Sequence, residues 1–486
     1  IEFPKKRTSD GDVESVDQWG VMFTKMATVS EIGNALGAFV DASKYGVSAR
    51  AILLNDSSEH KVVMQGLDVF AVNVHPEISS NDLALLSGYG QLRKFLITAI
   101  GEGALGSKVI ELAARCGFGQ WTILDKDIFL PHNVIRHVLG NVAIGDHKAE
   151  YFKEFINWHN PGNPIHETLV VDVKSPGEKQ EMLWAAIENS DLVLDMSASV
   201  AVARQLCEHD SQRRCCSLFL NPSGQGLVLM LENSERTISL WDMEGAYYRA
   251  LIQEDQLDGH LNNTDSLARY GNGCRDITAK VSGDQVSVLS GIAIRQFIQK
   301  SQSKEASICI WRHNIQSGEI HRIPLLTSSG IEIKSGGWRI RWNSQLVQDI
   351  DSKRKRTLPN ETGGVLLGLV DFEHNMIVVA HSIDAPEDSV EHPYFFERGT
   401  TSLEIMESIR QKTAGQLRYL GEWHSHPNGV KASPSDNDEK LFQYLEQKFI
   451  ASSEPYLMSI FSDDEVFTRC GLNGESNDML FNLNFC

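Results

Sequence analysis

Two histidines one residue apart, at the end of an apolar run, could do metal chemistry in this chain. Tyr419-Leu-Gly-Glu-Trp423-His424-Ser-His426-Pro427 reads as a strand closing on a His-x-His-Pro string. Residues i and i+2 of a strand share a face, so both imidazoles can serve one metal ion. Ser433-Pro-Ser-Asp436 follows and opens a helical pattern over Asp438–Phe449. A carboxylate there completes a two-His, one-Asp zinc set with one position open to water. Ser433 or Asp436 also suits a helix N-cap, a role compatible with the first. Upstream, Glu361-Thr-Gly-Gly-Val-Leu-Leu-Gly368 begins a buried strand. A Glu beside a glycine pair is out of place at a strand start unless it faces a site. There it could take a proton from the attacking water and return it to a leaving amine.

Together these residues resemble the JAMM/MPN metalloprotease family, also called JAB, over about residues 330–486. The resemblance implies an α+β domain that hydrolyses peptide or isopeptide bonds after ubiquitin-like C-termini. It implies Glu361 as general acid/base, His424, His426 and Asp436 as Zn2+ ligands, and Ser433 as the group steadying the oxyanion. Five residues separate Pro427 from Ser433 and seven separate it from Ser435. The proline inside Ser433-Pro-Ser-Asp436 favours Asp436, with Asp438 as the alternative ligand.

A second string, Gly101-Glu-Gly103-Ala-Leu-Gly106, lies between an expected strand, Phe95–Ile100, and an expected helix. Glycines admit a phosphate close to the backbone, and the helix N-terminus offers free N–H groups. Alone the motif fits a dehydrogenase as readily as an ATP enzyme. Asp125-Lys-Asp127 ends the next strand, where a carboxylate can accept from ribose hydroxyls. Asn133, Arg136 and, after a turn at Gly145, Lys148 follow in order. An amide, a guanidinium and an ammonium can line a triphosphate, and hydride transfer has no need of them.

GxGxxGS, DxD, NxxR and the downstream lysine resemble the ThiF/MoeB and ubiquitin-activating-enzyme adenylation superfamily over roughly residues 91–300. The resemblance implies a Rossmann-like α/β fold and carboxylate activation with ATP and Mg2+. It implies that Asp125 contacts ribose and that Asn133, Arg136 and Lys148 handle the phosphates. Many relatives carry a metal-binding Asp after the fourth strand, where this chain reads Asp195-Met-Ser-Ala198-Ser199. Asp195 is then the expected magnesium ligand, unless the site is impaired. The best thiol for carrying an activated carboxylate is Cys274, in Gly271-Asn-Gly273-Cys274-Arg275-Asp276. Glycines imply a loop, the adjacent arginine lowers a thiol pKa, and the position resembles that of the thioester cysteine in activating enzymes. Cys207, Cys215 and Cys216 sit in helix or strand patterns and read as core.

The elements needed to hold these groups follow the chain. Expected strands at Trp121–Leu124, Thr168–Val173 and Leu192–Asp195, with a helix at Asp146–Trp158, imply a parallel sheet covered by helices. A further helix is expected around Val286–Gln299. Turn-rich segments near 301–330 precede a strand-rich unit that begins at Trp338–Trp342. The expected division is 1–90 of unknown fold, 91–330 for adenylation and 331–486 for the peptidase. In the first of these, Val29–Ser43 reads as helix, and Val47–Leu54 and Val69–Val74 as apolar runs. Lys353-Arg-Lys-Arg-Thr357 reads as a solvated helix end.

Composition narrows the class. The chain has 486 residues, enough for about three domains. With 45 Lys+Arg against 64 Asp+Glu the formal charge is −19, which argues against a partner held by phosphate contacts along a nucleic acid. No apolar run reaches the roughly 20 residues of a membrane helix, and the start is no secretory signal. The chain begins at Ile1 rather than Met and reads as part of something longer. Its eight scattered cysteines form no CxxC pair, as in a reduced, cytoplasmic protein.

The two resemblances together imply a bifunctional bacterial enzyme, similar to the fusions found in ubiquitin-like conjugation operons, some of them antiviral. One domain activates the C-terminal tail of a ubiquitin-like protein, with a homodimer and a ubiquitin-conjugating-enzyme-like protein as expected partners. The other trims or removes that protein. Sulfur-carrier activation, in which no thioester on Cys274 is needed, is the alternative. So is a scaffold whose adenylation domain is inactive, as Ala198 would allow.

Overall fold

Short apolar runs alternating with amphipathic segments become, in the computed structural model, strands and the helices that cover them. The structure describes residues 2–7, 9, 13–24, 68–73, 78–209, 211–262, 267–269, 277–335, 337–400 and 402–483. The chain folds as two units, Ile1–Ile78 and Ser79–Cys486. The first unit holds three antiparallel strands, Glu2–Arg7, Val13–Thr24 and Asp68–Asn73, paired in sequence order. The expected helix at Val29–Ser43 and the run Val47–Leu54 lie outside the described residues.

In the second unit eight strands form one sheet: β1 Leu96–Ile100, β2 Gln120–Leu124, β3 Glu167–Leu169, β4 Leu192–Asp195, β5 Arg214–Leu220, β6 Gly226–Leu231, β7 Ser307–His313 and β8 Ile320–Leu325. Their order is β8-β7-β6-β5-β4-β1-β2-β3. The five strands β3-β2-β1-β4-β5 are parallel, and β6 to β8 continue antiparallel. The order reverses between β1 and β4, and the crevice at the C-terminal ends of those strands is where open α/β sheets bind ligands. Strand β3 is shorter than the expected Thr168–Val173. Beyond its end at Leu169, Asp172 accepts the backbone N–H of Lys174 in a local turn. One sheet face buries Leu105, Val109 and Ile110 of helix Ala104–Arg115 with Phe152 and Ile156 of helix Lys148–His159 and Leu289 and Phe297 of helix Gly283–Ser301.

A second eight-stranded sheet follows: β9 Gly330–Ser335, β10 Trp338–Asn343, β11 Gly363–Asp371, β12 Met376–Asp384, β13 Arg418–Ser425, β14 Tyr456–Phe461, β15 Glu465–Leu472 and β16 Glu475–Asn482. Their order is β9-β10-β12-β11-β13-β14-β15-β16, with parallel pairing only at β10/β12 and β13/β14. One face packs helix Ser344–Thr357 through Leu346, Val347 and Ile350. Phe442, Leu445 and Phe449 of helix Asp436–Phe449 pack on Tyr456, Met458 and Ile460. The two sheets meet across helix Leu240–Gln253. Its Trp241, Met243, Tyr247 and Leu251 share one buried cluster with Val228 and Met230 of the first sheet and Val365, Leu367 and Val378 of the second.

The basic run Lys353–Thr357 is the end of a helix, but Arg354 within it is 1% exposed and not solvated. No helix among the described residues is long and apolar enough to cross a membrane.

Candidate metal centre and nucleotide cleft

Strand β11 is threaded between β12 and β13, and Gly363 pairs with His424. A Cβ on Gly363 would lie 2.4 Å from the Phe396 ring and 2.5 Å from the Trp423 carbonyl, so only glycine permits this approach. The segment before it is pinned on both sides. The N–H of Glu361 donates to the His392 carbonyl at 3.0 Å, and Thr362 and Ser425 exchange bonds of 3.1 and 2.7 Å. Glu361 is thereby set into the end of the sheet where the histidine pair emerges.

His424, His426 and Asp438 are all buried, and one donor atom from each lies within 4.8 Å of the others. His424 Nε2 is 3.3 Å from Asp438 Oδ1. His426 Nδ1 lies 2.7 Å from the Lys431 carbonyl, which fixes that nitrogen as the N–H and leaves Nε2 with a lone pair. Burial drives His424 down to about 4, the neutral form a metal requires. Two imidazole nitrogens and a carboxylate, converging with a bond that sets one tautomer, fit a zinc ion.

The expected carboxylate, Asp436, is exposed in the first turn of the helix, and the structure groups Asp438 with the histidines instead. The cause is the cap. Ser435, not Ser433, is the N-cap, and Asp438 Oδ2 accepts from both its N–H and its hydroxyl at 2.7 Å. That box begins the helix at Asp436, ahead of the expected Asp438, and turns Asp438 inward. Ser433 is exposed, with its N–H given to the Lys431 carbonyl at 2.9 Å. Glu361 is buried, and burial together with the charge of Asp438 lifts its carboxyl to about 7.

Arg354, missed from the sequence, holds the loop after the histidines. It donates to the His426 carbonyl and to Asn428 Oδ1, each at 2.9 Å, and pairs with Asp463. Asp463 in turn accepts the Gly429 N–H at 2.7 Å. A run of four basic residues carries no sign of which one turns inward.

At the β1/β4 crevice a cavity of about 300 Å³ is lined by Gly101, Gly103, Asp125, Asp127, Asp172, Lys174 and Ser199, among others. Gly101 has φ +86, and a Cβ there would lie 2.7 Å from the Ser197 backbone. Gly106 lies behind the loop, close to the Gly101 carbonyl, and does not line the cavity. Asp125 Oδ2 accepts the Glu102 N–H at 2.6 Å and Oδ1 the Asp127 N–H at 2.7 Å, so it ties the glycine loop to the end of β2.

The remaining expected groups are placed elsewhere. Lys148 is buried and donates to Asp127 at 3.0 Å. Asn133 caps its turn by accepting the Leu130 N–H at 2.8 Å. Arg136 donates to the Val281 carbonyl at 3.2 Å. None of these three lines the cavity. Asp195 is buried and committed to a turn, accepting Ser197 N–H at 3.0 Å and Oγ at 2.6 Å, and burial raises it to about 6. Ala198 has φ +55, a conformation that Asn, Asp and Gly adopt more readily. Cys274 lies outside the described residues. Cys215 and Cys216 are buried and Cys207 is half-buried, with burial raising all three thiols.

Residues 79–239 match the ThiF family, and residues 343–470 match the prokaryotic homologs of the JAB domain. An uncharacterized protein, y4oA, of Sinorhizobium fredii is 35% identical over 25% of this chain and 22% of its own length. A CD-NTase/cGAS isopeptidase of Enterobacter hormaechei is 32% identical over 25% of this chain and 66% of its own. The ATP-dependent ubiquitin transferase-like protein Cap2 of the same species is 23% identical over 48% of this chain and 37% of its own. The chain therefore spans less than two thirds of each of these relatives. It joins a ThiF-family domain to a domain of the prokaryotic JAB family.

Proposed function

We propose that the chain serves a bacterial ubiquitin-like conjugation pathway with an antiviral role, activating a ubiquitin-like C-terminus with ATP and cleaving the bonds that C-terminus makes. The observation that carries this is the buried His424–His426–Asp438 group beside a carboxyl, Glu361, raised to about 7. The relatives named isopeptidase and ubiquitin transferase-like supply the substrate class.

On this reading His424, His426 and Asp438 hold zinc, whose chemistry at such a site is polarisation of a carbonyl and acidification of water. Glu361, with a pKa near the working pH, takes the proton of the attacking water and delivers it to the leaving amine. Its backbone bond to His392 fixes where that proton is handled. Ser435 secures Asp438, and Arg354 secures the carbonyl of His426.

In the ThiF domain the glycine loop and Asp125 receive the nucleotide, and Asp125 meets the ribose. Arg136 and Lys148 reach phosphates only if nucleotide binding or a second protomer rearranges their present bonds. A thioester on Cys274, a homodimer and handover to a conjugating-enzyme-like partner complete the proposal. A second reading, a ubiquitin-like-protein-binding scaffold, is favoured by one observation. Ala198 supplies no carboxylate, and Asp195 is spent on Ser197.

The test uses a ubiquitin-like protein carrying a reporter peptide after its terminal glycine. Glu361→Gln should keep its zinc and lose about 10²–10⁴-fold in cleavage. Retained cleavage removes Glu361 from the mechanism. ATP–pyrophosphate exchange separates adenylation from the scaffold reading.

A further inference from the structure

A second cavity, of about 260 Å³, lies beside the nucleotide cleft. The two share Ser199 in their walls, so the turn after β4 divides them. Phe219, Met230, Leu240, Trp241 and Tyr248 make the wall largely apolar and aromatic. Its cation is already neutralised. Arg204 is bidentate to Glu244, at 3.0 and 2.6 Å, and donates to Asp371 at 3.0 Å. An anionic group therefore finds no free charge there. Tyr247 also lines the cavity and is 3% exposed, and its buried hydroxyl has no hydrogen-bond partner. That donor is closed off in the present wall, so an acceptor arriving with a ligand meets it only when the wall opens, and leaving it unpaired is costly.

We infer that this cavity receives an uncharged apolar side chain from the C-terminal segment of the peptide whose carboxylate is activated in the adjoining cleft, with Tyr247 meeting a peptide carbonyl. The inference rests on the adenylation reading. Three features carry it: adjacency to the cleft across the Ser199 turn, an apolar wall whose charges are paired, and one orphaned donor. It makes the cavity the element that selects the tail, whereas the cleft recognises only nucleotide and carboxylate.

The experiment uses the full chain with Mg-ATP and fluorescein-labelled ten-residue peptides ending in Gly-Gly. Each of the five positions before the glycines carries in turn Leu, Phe or Asp in an otherwise constant sequence. At one position Leu and Phe should bind about ten- to a hundredfold tighter than Asp. Ala203→Phe, which fills the cavity from helix Val200–Glu208, should abolish that preference. Tyr247→Phe keeps the shape and should weaken the preferred peptide two- to tenfold. Equal binding of Leu and Asp at every position, absence of peptide binding, or a preference unchanged in both variants overturns the inference. Mg-ATP titrated alone into wild type and variants keeps the two readings apart. A wild type that does not bind ATP refutes the adenylation reading, and ATP binding without peptide selection refutes only the cavity's role.

Discussion

Replacing Asp438 by Asn tests the metal centre at the atom where helix cap and ligand coincide. Asp438 Oδ2 accepts two bonds from Ser435, and Oδ1 faces His424. Asparagine keeps one acceptor for the cap, so the helix should lose about 1 kcal/mol at most. The anionic donor to the metal is gone. Loss of an outer-shell partner typically costs about 10–100-fold in metal affinity, so loss of a ligand should cost more than about 100-fold. Asp436→Asn is the matched control. That side chain is exposed in the first turn, where it contributes at most about 0.3–1 kcal/mol through the helix dipole. Zinc affinity is measured by competition with a chromophoric chelator, which does not depend on activity, and thermal unfolding with chelator present reports the cap separately. A chain in which Asp436→Asn loses zinc while Asp438→Asn keeps it would refute the geometry on which the ligand set is built.

Arg354→Met keeps much of the buried stem but frees the His426 carbonyl and Asn428. It should lower stability by about 1.5–3 kcal/mol and zinc affinity by about tenfold or more, read by denaturant unfolding and the same competition; unchanged zinc affinity would reduce Arg354 to a packing residue. Ala198→Asp places a carboxylate on a backbone, φ +55, that Asp tolerates, and should raise ATP–pyrophosphate exchange; unaltered exchange shows that Ala198 is not what limits the site. Burial depresses His260 from 6.5 to about 4, and both its ring nitrogens lack partners. Its contribution to stability is therefore full above pH 6.5 and falls as pH drops towards 4, a loss of about 2 kcal/mol by pH 5. His260→Phe should unfold with a pH 7 to 5 stability difference smaller by about that amount, and an identical pH slope would show that His260 does not titrate in this window.

What could be read from the sequence was what is local in it. The glycine loop, the histidine pair and Glu361 each sit at a strand end, where a change from apolar to functional residues within a few positions marks the site. The choice of Asp438 over Asp436 hung on which serine caps the helix, and both Ser433 and Ser435 precede it at plausible spacing. Only the capping box settles which carboxylate turns inward. Arg354 was read as solvated because its partner Asp463 is 109 residues away. The order Asn133, Arg136, Lys148 likewise names groups able to meet phosphate, but their present bonds go to Leu130, Val281 and Asp127. Composition and order assign chemistry to a side chain, and only packing assigns its direction.

The helix Leu240–Gln253 gives the two domains a relation that a linker would not. Gly245 brings it against the second sheet so closely that a Cβ would touch Val378 at 3.2 Å. Around it, Arg204 joins Asp371, Arg341 joins Asp242, Arg339 joins Glu208 and Arg249 joins Asp349, each pair linking the ThiF-side sheet and helices to the JAB side. Buried ion pairs add little net stability over apolar packing, because desolvation offsets their attraction. Their geometry is directional, however, and an apolar contact alone would let the sheets slide. The shared apolar cluster supplies the attraction, and the arginine pairs set the angle at which the surfaces meet. Arg204 stands on the helix that follows the Asp195–Ser199 turn, so the residue that fixes the JAB side also lines the cavity beside the nucleotide cleft. Its partner Asp371 ends β11, the strand that starts behind Glu361, so one ion pair spans from the wall of that cavity to the strand that leads to the metal centre.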